Sequence, residues 1–153
     1  MSRTILIVDD NDQFRGMLTT VLGLRGYTTV AARSAAEGLK AAAARAFDAV
    51  ITDVEMPDMN GLEFCAELRE QEKPSGRYVP VWIMTGGLRV GVNRRATALG
   101  ALHVLRKPLN VDEVCAQFEH EFHRRETGSP LPAPAAAPET GGSGGSAESL
   151  GRL

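Results

Sequence analysis

The chain has 153 residues, 43% of them hydrophobic and 24% charged, which is typical of one globular domain and excludes a wholly disordered protein. With 17 basic and 19 acidic residues the formal net charge is −2, so no overall field attracts nucleic acid or an anionic membrane. The sequence shows no secretory signal pattern and no apolar run of membrane-spanning length. We therefore expect a soluble, cytoplasmic protein.

Short apolar runs alternate with amphipathic helical patterns five times along the chain. The predicted strands are 4–8, 27–32, 49–52, 79–84 and 101–105. The predicted helices cover 14–26, 34–44 with a Ser34–Glu37 capping box, 62–71, 92–99, and a last helix capped by Asn110. This alternation predicts an α/β fold: a doubly wound, five-stranded parallel sheet of flavodoxin-like order 2-1-3-4-5, with helices on both faces.

The composition changes after about residue 126, where Pro, Ala, Gly and Ser dominate and large apolar residues almost disappear. We expect a folded domain over 1–126 and a disordered tail or linker over 127–153. Composition does not distinguish a natural tail from a truncated linker or an addition made in cloning. Cys65 and Cys115 fall in apolar helical patterns, which favours two reduced core thiols over a redox or metal site.

Polar and charged residues follow four of the predicted strands. Asp9 and Asp10 end the first strand, Asp53 the third and Thr85 the fourth, and Lys107 follows the fifth. In the 2-1-3-4-5 order these strands are consecutive neighbours, and ligands bind outside their carboxyl ends. The sequence therefore predicts that the five side chains meet in one cleft.

This set of residue types suits phosphoryl transfer assisted by a metal. Three clustered carboxylates repel one another, and Mg²⁺ is a hard cation that neutralises such a group. The carbonyl of Glu55 is a further candidate ligand. Asp53 is the candidate nucleophile, while a hydroxyl from Thr85 and a positive charge from Lys107 would stabilise the transferred group. Gly86 would leave room for that group beside the backbone.

Four segments, ILIVDDN, ITDVEMPDMNG, VPVWIMTGG and LRKPL, resemble the signature segments of bacterial response-regulator receiver domains, in order and at similar separations. The resemblance covers roughly residues 3–125 and is closest in kind to single-domain, chemotaxis-regulator-like receivers. It implies phosphorelay signalling in a two-component system, with a sensor histidine kinase or histidine phosphotransfer protein as phosphoryl donor and a downstream protein as target. It also implies a protein that catalyses only its own phosphorylation and dephosphorylation.

The resemblance assigns a role to each matching position of this sequence. Asp53 is the phosphoacceptor, Thr85 the hydroxyl residue and Lys107 the family lysine, with a cis peptide bond expected at Pro108. The Mg²⁺ ligands are implied to be Asp9, Asp10, Asp53 and the backbone carbonyl of Glu55. A phosphorylation-dependent dimer is a further implied partner state, whereas no DNA-reading module follows residue 126.

One position departs from the family pattern. The family usually carries Tyr or Phe three residues before the lysine, and this sequence has Val104. Since valine has no ring to turn inward, we expect the signal to leave the site through shifts around residues 86–99.

Four other interpretations remain open from the sequence. The Asp9–Asp10 pair could simply cap the following helix. The domain could be a pseudo-receiver that binds its partner without phosphate, or a fragment of a longer response regulator. It could also be a phosphatase resembling the haloacid dehalogenases, although the Asp-x-Asp-x-Thr/Val motif of that family breaks here at Gln13 and Phe14.

Overall fold

The computed structural model describes residues 2–86, 92–101 and 103–128. The expected tail lies almost entirely outside these residues, as does part of the segment 86–99, so both expectations stay predictions. Among the described helices, none is both long and apolar enough to cross a lipid bilayer.

Five parallel strands form one sheet in the order β2-β1-β3-β4-β5, which confirms the predicted fold. Their bounds are β1 Thr4–Val8, β2 Thr28–Ala32, β3 Ala49–Asp53, β4 Val81–Thr85 and β5 His103–Arg106. Every residue of β3 and β4 is buried, because helices cover both faces of these central strands. The register sets Val8 of β1 beside Thr52 of β3, so the ends of the two strands are level.

Helices alternate with the strands over the described chain. Their bounds are α1 Asp12–Leu24, α2 Ala35–Ala44, α3 Gly61–Glu72, α4 Val92–Ala98 and α5 Val111–Glu126, with a short 3₁₀ helix at Lys73–Ser75. Residues of α2, α3 and α4 pack on one face of the sheet around Phe64, and residues of α1 and α5 pack on the other around Phe118. Both cysteines are buried and unpaired in these two cores, as predicted.

Local interactions shift some predicted boundaries. Strand β4 begins at Val81 rather than at residue 79, because the Val79 amide donates to the Glu72 carboxylate and Pro80 has no amide to donate. The expected Ser34–Glu37 capping box is only half formed. The Ser34 hydroxyl accepts the Glu37 amide, but the Glu37 carboxylate accepts the Arg33 amide instead of that of Ser34. The complete capping box lies at Asn60 and Glu63.

Candidate functional site

The acidic side chains come together at the carboxyl ends of β1 and β3. Oxygen atoms of Asp9, Asp10 and Asp53 all lie within 4.8 Å of one another, with Asp9 and Asp53 buried and Asp10 exposed. The parallel register explains this proximity, since Asp9 follows the β1 residue that pairs with Thr52. The predicted acidic cluster is therefore present in the fold.

Asp9 is held in place by two backbone groups and one arginine side chain. Its amide donates to the Ala32 carbonyl, and its carboxylate accepts the Asn11 amide at 2.9 Å. Its own carbonyl accepts Nη1 of Arg15 at 2.8 Å. The side chain that caps α1 is that of Asn11, which accepts the Phe14 amide. The interpretation of the Asp9–Asp10 pair as a helix cap is therefore wrong.

Lys107 lies between the two buried carboxylates. Its Nζ is 3.4 Å from Asp53 Oδ1 and 3.5 Å from Asp9 Oδ2, and it sits 4.3 Å from the centre of the Phe14 ring. Burial raises the pKa of Asp53; the Lys107 charge opposes this rise and the Asp9 charge adds to it. Lys107 thus partly neutralises the buried carboxylates of Asp9 and Asp53. An apolar residue in place of Lys107 would leave both carboxylates unpaired.

The strand pairing also fixes Lys107 relative to Thr85. Thr85 ends β4 opposite Arg106 of β5, and the amide of Lys107 donates to the Thr85 carbonyl at 2.9 Å. Thr85 is buried, and the peptide bond between Lys107 and Pro108 is cis, as expected. Thr85 and Lys107 therefore lie side by side at the carboxyl ends of β4 and β5, at the same edge of the sheet as the acidic cluster.

The loop after β3 packs closely against Asp53. The Gly61 amide donates to the Val54 carbonyl at 2.7 Å, and a Cβ on Gly61 would lie 2.3 Å from the Asp53 carbonyl oxygen. Glu55, the expected source of a carbonyl ligand, is exposed in this loop. A Cβ on Gly86 would meet no atom within 4 Å, which agrees with the expected open space beside that backbone.

Sequence reasoning missed three contributors to this site: Phe14, Arg15 and Gly61. A glycine directly after Asn60, at a helix start, is a signal that could have identified Gly61. Nothing local in the sequence indicates that Arg15 donates to the Asp9 carbonyl or that Phe14 lies under Lys107, because both contacts depend on how α1 docks.

The donor set fits a divalent cation that prefers oxygen ligands. Among the described residues, three carboxylates face the one lysine charge, which leaves this part of the cluster with excess negative charge in a partly buried setting. Hard cations such as Mg²⁺ and Ca²⁺ take carboxylate oxygens, and exposed Asp10 leaves one side open to water. These three residues could therefore hold such an ion.

Val104 is partly buried and packs with the core residues on the α3 and α4 face of the sheet. It pairs with Ile83 of β4, and the segment 87–91 that would connect Thr85 to α4 lies outside the described residues. The departure from the family pattern therefore lies on the face of β5 that packs against the α3 and α4 core.

Comparison with known proteins agrees with this geometry. The chain is 36% identical over 126 residues to the response regulator MprA of Mycobacterium ulcerans, covering 81% of this chain and 52% of MprA. It is 33% identical over 110 residues to the sensor histidine kinase AruS of Pseudomonas aeruginosa, covering 72% of this chain and 11% of AruS. The chain thus spans about half or less of these curated relatives.

One solved structure is matched over almost its whole length. The chemotaxis protein CheY4 of Vibrio cholerae superposes with a TM-score of 0.72 at 29% identity, over 78% of this chain and 98% of that protein. Residues 5–119 match the family model described as "Response regulator receiver domain". The chain belongs to the response regulator receiver domain family of two-component signalling.

Proposed function

We propose that this receiver accepts a phosphoryl group on Asp53 from a histidine kinase or a histidine phosphotransfer protein, in the cytoplasm. The observation that carries the proposal is the position of the Asp53 carboxylate, within 3.4 Å of the Lys107 ammonium and within 4.8 Å of the other two aspartates. A carboxylate kept in such a cluster is suited to nucleophilic attack on an anionic group only when cations offset the repulsion.

The bound cation would be Mg²⁺, held by Asp9, Asp10, Asp53 and the carbonyl of Glu55. When bound, it would supply positive charge that offsets the repulsion between the carboxylate and the incoming phosphoryl group. Buried Asp9 is fixed by its own hydrogen bonds, so it offers its oxygens without losing side-chain freedom on binding.

The transfer step needs one bond made and one broken. A carboxylate oxygen of Asp53 attacks phosphorus, while the bond from phosphorus to the donor nitrogen or acyl oxygen breaks and its electron pair leaves with the donor. The Lys107 ammonium group would then pair with a phosphoryl oxygen, and the Thr85 hydroxyl would donate a hydrogen bond to another. Hydrolysis of the aspartyl phosphate by water would return Asp53 to its free state.

We propose further that the output is a phosphorylation-dependent protein contact, with dimerisation as one form of it. The folded unit would be residues 1–126, which ends where α5 ends at Glu126. Residues 127–153 would be a tail or an interdomain linker. Since the chain covers 52% of MprA, a receiver that is part of a longer regulator is the alternative form of this proposal.

Intact mass after incubation with Mg²⁺ and a small acyl phosphate tests the chemistry. We expect the wild type to gain the mass of one phosphoryl group and the Asp53→Ala variant to gain none. Asp112→Ala removes an exposed aspartate at the start of α5 and serves as a matched control that still gains the group.

The pseudo-receiver is the second candidate, and Val104 is the observation that favours it. A wild type that gains no phosphoryl group at any Mg²⁺ or donor concentration would support the pseudo-receiver and refute the phosphoacceptor. A gain that survives in Asp53→Ala would instead show that another residue is modified.

A further inference from the structure

Asp58 connects the loop after β3 to the start of a neighbouring helix. Its two carboxylate oxygens accept the backbone amides of Ala36 at 3.1 Å and Ala35 at 3.4 Å, the first two residues of α2. These amides have no partners within the helix, because the first turn of an α-helix leaves its N–H groups free. A carboxylate at this position is also favoured by the helix dipole.

Two residues therefore divide the capping of α2. The Ser34 hydroxyl accepts the Glu37 amide at 3.1 Å, as an N-cap residue usually does, and Asp58 takes the two amides before it. Desolvation acts to raise the pKa of exposed Asp58, but the hydrogen bonds from Ala36 and Ala35 outweigh it and lower this pKa, so Asp58 remains a carboxylate at neutral pH. Ser34 directly precedes α2 in the chain, whereas Asp58 belongs to the loop that follows the phosphoacceptor strand.

That loop is fixed at both of its ends by contacts of its own. At one end the Val54 amide donates to the Met84 carbonyl, and the Val54 carbonyl accepts the Gly61 amide. At the other end Asn60 and Glu63 form the capping box of α3. Asp58 adds an attachment between these ends, and this attachment is to a different helix. Glu55 lies in the stretch between the Val54 end and Asp58.

We propose that Asp58 is a positioning residue for the phosphoryl-transfer site: it ties the loop that bears the Glu55 carbonyl to α2 and so holds that carbonyl in place for Mg²⁺. This inference rests on the proposed function, because it assigns a task to the same site. Coupling of this kind is reciprocal, so Mg²⁺ binding must also strengthen the contact between Asp58 and α2.

The rate of phosphorylation by a small acyl phosphate, measured across a Mg²⁺ titration, separates positioning from simple stabilisation. Loss of a helix-capping contact corresponds to about a fivefold change in an equilibrium. We expect Asp58→Ala to raise the half-saturating Mg²⁺ concentration by about fivefold and to leave the rate at saturating Mg²⁺ unchanged, since excess cation restores the bound state. Asp58→Asn keeps one oxygen acceptor and should fall in between.

Ser34→Ala is the matched control, because it removes a cap from the same helix without touching the loop. Urea unfolding should show similar losses of stability in Ser34→Ala and Asp58→Ala, whereas only Asp58→Ala should shift the Mg²⁺ titration. Equal Mg²⁺ titrations for the two variants would overturn the inference and leave Asp58 as a helix cap alone.

Hydrogen exchange at the Ala36 amide supplies an independent readout on the unmodified protein. Mg²⁺ should slow exchange at this amide in the wild type, and an exchange rate unaffected by saturating Mg²⁺ would also contradict the inference. Failure of the wild type to accept any phosphoryl group would instead refute the proposed function, so the two failures are distinguishable.

Discussion

Replacement of Gly61 by alanine tests whether the close contact between α3 and β3 is as tight as the structure shows. A Cβ at this position would lie 2.3 Å from the Asp53 carbonyl oxygen and 3.0 Å from both the Asp53 carbonyl carbon and the Val54 Cα. All three atoms belong to the backbone, so no rotamer change relieves the overlap.

The cost follows from that geometry. Since Cβ atoms essentially never approach another heavy atom within 3.0 Å, the start of α3 and the end of β3 must separate by at least 0.7 Å. Overpacking of this kind costs about 1–3 kcal/mol, and weakening the bond from the Gly61 amide to Val54 adds about 1 kcal/mol. We expect Gly61→Ala to lower the free energy of unfolding by about 2–4 kcal/mol and the melting temperature by roughly 10 °C.

Gly16→Ala on α1 is the matched control. This glycine is also helical, but a Cβ there meets nothing within 4 Å, so alanine should stabilise the helix by about 0.5–1 kcal/mol. Urea unfolding followed by the fluorescence of Trp82, the one tryptophan of the chain and fully buried, measures both variants. Gly61→Ala with a stability equal to that of the wild type would refute the packing argument.

Two further predictions concern the charges of the site. Lys107→Ala should slow phosphorylation by a small acyl phosphate about 100-fold and tighten Mg²⁺ binding, because it removes both a stabilising charge and a competing cation. Arg106 is the exposed neighbour, and Arg106→Ala should change neither the rate nor Mg²⁺ binding. Unchanged phosphorylation in Lys107→Ala would contradict the role proposed for this lysine. Burial and the Asp9 charge raise the pKa of Asp53 in the folded state, so ionising this group disfavours folding. In metal-free buffer Asp53→Asn should therefore be more stable than the wild type at pH 7. The difference in stability should shrink as the pH falls through the raised pKa towards the ordinary value of 3.8. Urea midpoints measured across this pH range test the prediction, and a difference that stays constant would contradict the raised pKa of Asp53.

The fold was predictable from the sequence because its signals are local. The strands are short apolar runs, and the helices have apolar faces and side-chain caps such as those of Asn11 and Asn110. Strict alternation predicts a parallel sheet, since parallel neighbours require crossover helices, and five strands suit the flavodoxin-like order 2-1-3-4-5. Boundaries moved where a side chain of the preceding helix intervenes, as the Glu72 carboxylate of α3 does at the Val79 amide.

The candidate site was predictable to the extent that it consists of strand ends. Asp9, Asp53 and Lys107 meet because the sheet order and register place them together. The sequence predicted the order but not the register. The contacts of Arg15 with the Asp9 carbonyl and of Asp58 with α2 were not predictable, because each joins two elements through a side chain whose direction depends on helix docking. Their residue types give no local signal of these partners.

The position of Val104 separates the chemistry of the site from its output. Asp53 ends β3 beside Asp9 and Lys107, whereas Val104 packs with the core under α3 and α4. On that face the end of α4 is fixed to α3: the Leu99 carbonyl accepts the Cys65 thiol, and the Gly100 carbonyl accepts Nη2 of Arg69 at 2.7 Å.

A displacement that begins at Thr85 would therefore reach α4 at its start, while α3 holds its end. We expect α4 to pivot about this fixed end when Asp53 is phosphorylated, with Val104 allowing the motion without a ring that must change its position. If Asp53 accepts a phosphoryl group as proposed, the valine would alter how the signal leaves the domain and would leave the Asp53 carboxylate and Lys107 in place.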